Sequence, residues 1–155
     1  MIESPEKINA FANPFDELVS IIGESNLSVS VENPLDFITA ASGGIGAGVI
    51  NRFVDYFGIT RRQTAAFFNM SEQTLAKRIR QDKPLEKNDA VQLLELTHLF
   101  LFGSAVLENK ENFIGWLYQQ NMALGGLAPA ELLSVPEGIS KVREILGRIE
   151  HGVFS

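Results

Sequence analysis

The chain has 155 residues, 45% of them hydrophobic and 21% charged, so it is long enough to bury a core and too apolar for global disorder. It contains no cysteine and only two histidines, His98 and His151, which excludes disulfides, thiolate metal sites, a cysteine nucleophile and any histidine-rich metal centre. Its formal net charge of −6, taken as a total, argues against a nucleic-acid partner.

The first residues, Met1-Ile2-Glu3-Ser4-Pro5-Glu6, lack the basic-then-apolar build of a signal peptide. The longest mostly apolar run, Leu99 to Leu107, is interrupted by Gly103 and Ser104 and falls short of the ~20 residues a bilayer span needs. A cytoplasmic protein without membrane contact is expected. Ser4-Pro5-Glu6, Asn13-Pro14 and Asn33-Pro34 each put a capping side chain before a proline, a helix-start signal. Phe11, Phe15, Leu18, Ile21 and Ile22 could then form an accessory or exchanged helix, or an arm that orders on binding. The only strand-like alternation, Leu27 to Val31, is too short to found a sheet. The fold class expected is all-α.

Ser42 to Gly48 is rich in glycine but has neither a Gly-Lys-Ser/Thr ending nor a GxGxxG register after a strand. It is expected to be a helix junction where backbones approach closely. The next predicted helix carries Val49, Ile50, Phe53, Val54 and Phe57 as a buried stripe, stops at Gly58, and is expected to pack on the helix that follows.

Charge is unevenly distributed. Residues 1–51 carry a net −6, residues 52–87 a net +4 and residues 88–155 a net −4. Within the basic middle, Thr60 and Gln63 have the spacing of a capping box, and the spacing predicts a helix over 61–68 with Ala65, Ala66 and Phe68. Asn69 falls where a tight turn needs a left-handed residue, Met70 can plug the angle, and Ser71 starts a second helix over about 72–81. That is helix-turn-helix logic, with the second helix placed to enter the major groove. At 100° per residue, Leu75 and Ile79 define its buried side, and Gln73, Thr74, Lys77, Arg80 and Gln81 fall opposite. Gln73 suits adenine, and Lys77 or Arg80 suits guanine. Arg61, Arg62, Arg78 and Lys83 flank this face and suit phosphates. A single unit binds weakly, so a homodimer on two half-sites of operator DNA is expected.

Leu85 to Leu107, with Val91, Leu94, Leu99 and Phe102, holds more apolar residues than one helix face can bury, which suggests a partner surface. His98 within it reads as a core or interface histidine. Farther on, a short helix ends near Tyr118, Gly125-Gly126 implies a sharp turn, Pro129 starts a short helix through Leu133, and a last helix runs to about His151. That last helix has Ile139, Val142, Leu146 and Ile149 as its buried seam. His151 has no Ser and Asp at workable spacing, so no catalytic residues, metal or cofactor are expected.

The order Trp116-Leu117, Asn121-x-Ala123-Leu124-Gly125-Gly126, Pro129-x-Glu131-Leu132-Leu133, Glu137-Gly138, Val142, Leu146-Gly147-Arg148-Ile149-Glu150 and Gly152-Val153 resembles the toxin-binding domain of the MbcA/ParS/Xre antitoxin family, which typically follows an Xre-type helix-turn-helix. Gln120 and Ala128 depart from the family's usual residues at their positions. The resemblance covers roughly residues 45–155 and implies an Xre-like domain over 45–107 and a toxin-binding domain over 108–155, with residues 1–44 expected to be an N-terminal helical arm or dimerisation segment. It further implies a non-enzymatic type II antitoxin that occludes a RES-domain, NAD-consuming toxin and represses its own operon. By the same resemblance Trp116, Asn121, Leu124, Gly125 and Gly126 would shape the docking module. Gly152, Val153, Phe154 and Ser155 would lie at the entrance to the toxin's active site. The alternative is a stand-alone helix-turn-helix regulator whose C-terminal part serves dimerisation or ligand sensing.

Overall fold

A computed structural model describes residues 14–152; the predicted start at Ser4-Pro5-Glu6, Phe11, and the residues Val153, Phe154 and Ser155 lie outside them. The described residues form an all-α fold of α1 (Pro14–Ile22), α2 (Asp36–Ser42), α3 (Val49–Phe57), α4 (Arg61–Phe67), α5 (Glu72–Gln81), α6 (Lys87–Val106), α7 (Lys110–Leu117) and α8 (Pro136–Glu150). Short 310 turns occupy Glu24–Asn26, Met122–Leu124 and Pro129–Leu132.

The predicted signals at Thr60, Ser71 and Gly58 act as expected. The Thr60 hydroxyl accepts from the Gln63 backbone N–H at 3.0 Å, and the Gln63 side chain accepts from the Thr60 N–H at 2.9 Å. Ser71 Oγ accepts from the Thr74 N–H at 3.1 Å. Gly58 ends α3 in the left-handed conformation, φ 67°. Asn33 Oδ1 caps a leading turn through the Leu35 N–H, so regular α2 begins two residues after Pro34. Leu27 to Val31 forms no strand.

α6 is the centre of the molecule, with α1, α2, α3, α7 and α8 packed around it. Phe100 on α6 is fully buried, its ring centroid 5.0 Å from those of Phe53, Phe57 and Phe113 and 5.9 Å from that of Phe67. Most of these contacts are edge-to-face, the arrangement the ring quadrupoles favour. α7 can cross α6 this closely because position 103 is glycine: a Cβ there would stand 2.1 Å from the Phe113 ring.

Several expectations are corrected by this arrangement. The apolar surplus of α6 is taken up within the chain, since Leu93, Leu94, Leu96, Leu99 and Phe100 are all fully buried by five different helices, and Val91 and Phe102 are half-buried. Of the alternatives left open for the N-terminal residues, Leu18, Ile21 and Ile22 place α1 in the same core as an accessory helix. α3 packs chiefly on α1, α5 and α6, not on α4 as its stripe suggested. Ala66 is exposed, while Ala65 and Phe68 are buried as expected, together with Thr64 and Phe67. In α8 the seam includes Ile145, while Ile149 is only half-buried.

Two cations, exposed Arg52 and half-buried Lys110, are used structurally. Arg52 Nε donates to the Ile21 carbonyl at 2.8 Å, closing the C-terminal end of α1, and Lys110 Nζ donates to the Tyr56 carbonyl near the end of α3 at 2.9 Å. Both satisfy carbonyls that a helix end leaves without partners.

Candidate functional site

The helix-turn-helix is built as its residues dictate. Asn69 adopts φ 55°, the left-handed geometry that carries the chain from α4 into α5, and Met70 packs half-buried against the core. Leu75 and Ile79 anchor α5, which leaves Gln73, Thr74, Lys77, Arg80 and Gln81 exposed on the opposite side. The structure therefore gathers the predicted base-reading residues on one surface. Thr74 is partly committed, since its Oγ1 accepts from the Ser71 hydroxyl at 2.9 Å.

The flanking cations divide. Arg62 and Lys83 are exposed, Arg78 is half-buried, and Arg61 is held by Asn51 Oδ1 at 3.1 Å. Among the described residues, the ion pairs within 4.0 Å involve Glu95, Glu144 and Glu150, and none neutralises Arg62, Lys77, Arg78, Arg80 or Lys83. An unpaired cationic surface beside amide and hydroxyl side chains can neutralise phosphates and reach base edges.

The glycine-rich junction holds the far end of α5. Asp82, the left-handed C-cap of α5 at φ 47°, accepts from the Gly48 N–H through Oδ1 at 2.7 Å. The Ala47 N–H donates to the Lys83 carbonyl at 2.9 Å, and the Leu85 N–H to the Ile45 carbonyl at 2.7 Å. A Cβ at position 46 or 48 would stand 2.7 Å from the Asp82 carboxylate, so the glycines permit this close approach. The expected junction is found, and it holds the C-terminal end of α5.

The C-terminal loop forms a second surface. The Asn121 side chain accepts from the Ala123 N–H at 2.9 Å, its carbonyl accepts from the Leu124 and Gly126 N–H groups, and its own N–H donates to the Leu127 carbonyl at 3.0 Å. Gly125 at φ 68° and Gly126 at φ 90° complete the turn. Trp116 is half-buried and stacks on Phe113 with ring centroids 6.2 Å apart. This closed loop lifts apolar side chains into solvent: Met122 is 90% exposed, Leu127 45% and Tyr118 39%. Sequence reasoning missed those three, because exposure of an apolar side chain depends on how the loop is folded. Leu124 is half-buried and Gly152 exposed.

His98 sits where an interior histidine should. Its ring stacks on Phe15 at 4.8 Å and meets Phe37 at 6.0 Å, and its Nδ1 lies 2.9 Å from Arg143 Nη1. Arginine can only donate, so Nδ1 is the acceptor and the proton is on Nε2. Burial, with the Arg143 charge beside it, lowers the imidazole from 6.5 to about 4. Among the described residues no group of His, Asp and Glu has the arrangement of a metal site. No single helix there is long and apolar enough to cross a membrane; α6 and α7 reach that composition only together, across a 109° bend.

Residues 36–96 match the antitoxin Xre-like helix-turn-helix domain, and residues 101–152 match the antitoxin Xre/MbcA/ParS C-terminal toxin-binding domain. The junction between the matches falls inside α6, so one helix serves both modules. Over 132 residues the chain is 26% identical to the Prs ADP-ribosylating antitoxin of Sphingobium sp. (strain YBL2), which spans 79% of this chain and 83% of that protein. Over 80 residues it is 29% identical to Antitoxin Xre of Pseudomonas putida, covering 52% of this chain and 50% of that protein.

Proposed function

Because the chain belongs to the Xre/MbcA/ParS family of antitoxins, with a helix-turn-helix and a toxin-binding domain, we propose that it is a non-enzymatic adaptor that occludes a RES-domain, NAD-consuming toxin and represses its own operon. The observation that carries the DNA half is the outward face of α5, where Gln73, Lys77 and Arg80 stand exposed with no carboxylate paired to either cation among the described residues. Gln73, Thr74, Lys77 and Arg80 read bases, and Arg61, Arg62, Arg78 and Lys83 hold phosphates. Two copies acting as a homodimer on paired half-sites supply the affinity that one unit lacks.

The toxin half rests on the loop around Asn121. There Trp116, Leu124, Gly125 and Gly126 shape a rigid turn, and Met122 is the apolar anchor it presents. Exposed apolar side chains on a fixed loop are suited to fill a pocket on a partner. Gly152, Val153, Phe154 and Ser155 follow the last helix and reach the toxin's active-site entrance. An NAD-consuming partner is in keeping with the name of the Sphingobium relative, since ADP-ribosylation takes its ADP-ribose from NAD⁺. In this reading residues 1–44 are the accessory segment, 45–107 the DNA module and 108–155 the toxin module, all working in the cytoplasm.

The test is co-expression with the toxin gene adjacent to this one. The chain should restore growth, co-purify with the tagged toxin and stop its NAD⁺ consumption, while the purified chain alone consumes none. Removal of residues 152–155 should abolish inhibition but leave operator binding. Protection by the shortened chain would sink the role given to the tail, and failure to co-purify would leave a stand-alone regulator as the better account.

A further inference from the structure

The sequence holds three methionines and no cysteine, so all of its oxidisable sulfur is thioether. Met1 lies outside the described residues, and Met70, in the turn between α4 and α5, packs half-buried against the core. Met122 is the opposite case. It is 90% exposed, although methionine is among the side chains most often buried. It also stands on the toxin-binding domain, at residues that have no part in the DNA-facing surface.

The loop itself keeps Met122 in solvent. The Met122 carbonyl accepts from the Gly125 N–H at 3.1 Å, and Asn121 on its other side accepts from the Ala123, Leu124 and Gly126 N–H groups. With the backbone fixed on both sides, the side chain cannot fold back onto the core without breaking those bonds. Leu127 and Tyr118 are exposed on the same loop and just before it, so the sulfur belongs to an apolar surface. Access to the sulfur sets how readily a thioether is oxidised.

We propose that Met122 is a redox-sensitive modification site, and that its conversion to the sulfoxide by a peroxide weakens the loop's hold on the toxin. The inference rests on the reading of Met122 as the apolar anchor for that partner. The reaction is a two-electron oxygen transfer. A lone pair on the sulfur attacks one oxygen of hydrogen peroxide, and the S–O bond forms as the O–O bond breaks. The transferred oxygen then gives its proton to the departing hydroxide, which leaves as water. Sulfur is oxidised and peroxide is reduced. The product carries a strongly accepting oxygen where there was bare sulfur. Seating it in an apolar pocket strips that oxygen of water and returns no donor. Methionine sulfoxide reductases reverse the change, one enzyme for each sulfoxide epimer. Toxin already docked covers the sulfur and slows the reaction.

The test treats the full chain with hydrogen peroxide and follows each methionine by peptide mass spectrometry. Met122 should gain an oxygen before Met70 does, and bound toxin should slow the gain at Met122. Chain oxidised at Met122 should bind the toxin about tenfold or more weakly, the scale of loss when one buried anchor turns polar. Treatment with the reductases should restore the affinity. Met70→Leu should keep this loss in full. In Met122→Leu, whatever its own affinity, peroxide should change binding by less than about twofold, because the remaining thioethers lie off the anchor. Unchanged affinity after oxidation at Met122, an equal loss in Met122→Leu, or oxidation of Met70 ahead of Met122 would overturn the proposal. Undiminished binding by Met122→Asp in the absence of peroxide would instead remove the anchor on which it rests.

Discussion

Asp82 offers the sharpest test of how the glycine junction supports α5. Two terms act at this residue: the 2.7 Å bond from the Gly48 N–H to its carboxylate, and a backbone held at φ 47°. Losing a charge-assisted bond to a backbone N–H costs about 1–2 kcal/mol at an exposed site. Placing alanine in the left-handed region costs about 1 kcal/mol more, because Cβ crowds the carbonyl oxygen and no short polar side chain compensates. Asp82→Ala should therefore destabilise the protein by about 2–3 kcal/mol, a fall in Tm of roughly 5–10 °C for a domain of this size. Asp82→Gly keeps only the first loss and should cost about 1–2 kcal/mol, and Asp82→Asn, which tolerates the conformation and retains an acceptor oxygen, less than either. Urea unfolding of the three variants separates the terms. If Gly is as damaging as Ala, there is no conformational term. If Asn is as damaging as Ala, the carboxylate is not acting through the Gly48 bond as described.

Other consequences can be checked independently. Lys77→Ala with Arg80→Ala replaces two exposed helix residues by the best helix former, so Tm should hold. Operator affinity should fall by about 1–3 kcal/mol for each residue that reads a base. Should either cation touch phosphate instead, the slope of log K against log salt should shallow by about 0.9 per contact, measured by fluorescence anisotropy. A Tm unchanged together with an affinity unchanged would remove the face from DNA recognition. Met122→Asp, at the most exposed apolar side chain described, should weaken toxin co-purification strongly and leave DNA binding and Tm alone; intact co-purification would place the anchor elsewhere. His98 gives a pH signature. Its folded pKa of about 4 lies below its unfolded 6.5, so the unfolded chain binds the extra proton between these values. The stability tied to neutral His98 is full above about pH 6.5 and lost progressively as pH falls towards 4. Glu95, whose pKa burial raises despite Arg143, titrates in the same cluster with the opposite sign. Comparing native protein with His98→Phe at each pH isolates the histidine: the variant should lose less stability on acidification, and parallel curves would exclude it.

Local chemistry made much of the fold legible. The hydroxyl and amide spacing of Thr60 and Gln63, the Ser71 cap and the left-handed Asn69 each act within four residues, and each is found where the residue types require. The outward residues of α5 were readable for the same reason: Leu75 and Ile79 repeat at four residues and set which face is buried. The packing of α6 was not readable. Its apolar residues surround the helix with no single buried stripe, so the sequence could not distinguish a central helix from one facing a partner. The partner of α3 was hidden similarly, since a stripe states that a face is buried and not against what.

The outward residues of α5 and the caps were thus decided by the sequence itself, through contacts within one or two turns. What only the tertiary structure decided is how those parts are joined. Asn69, chosen for its backbone conformation, also donates from its side chain to the Ser134 carbonyl at 3.1 Å, and Gln92 donates to the carbonyls of both Phe67 and Leu133. The bonds to Ser134 and Leu133 tie the helix-turn-helix to the C-terminal module across 65 and 41 residues of chain. No local pattern encodes them, because their geometry exists only once α6 has gathered the other helices around it.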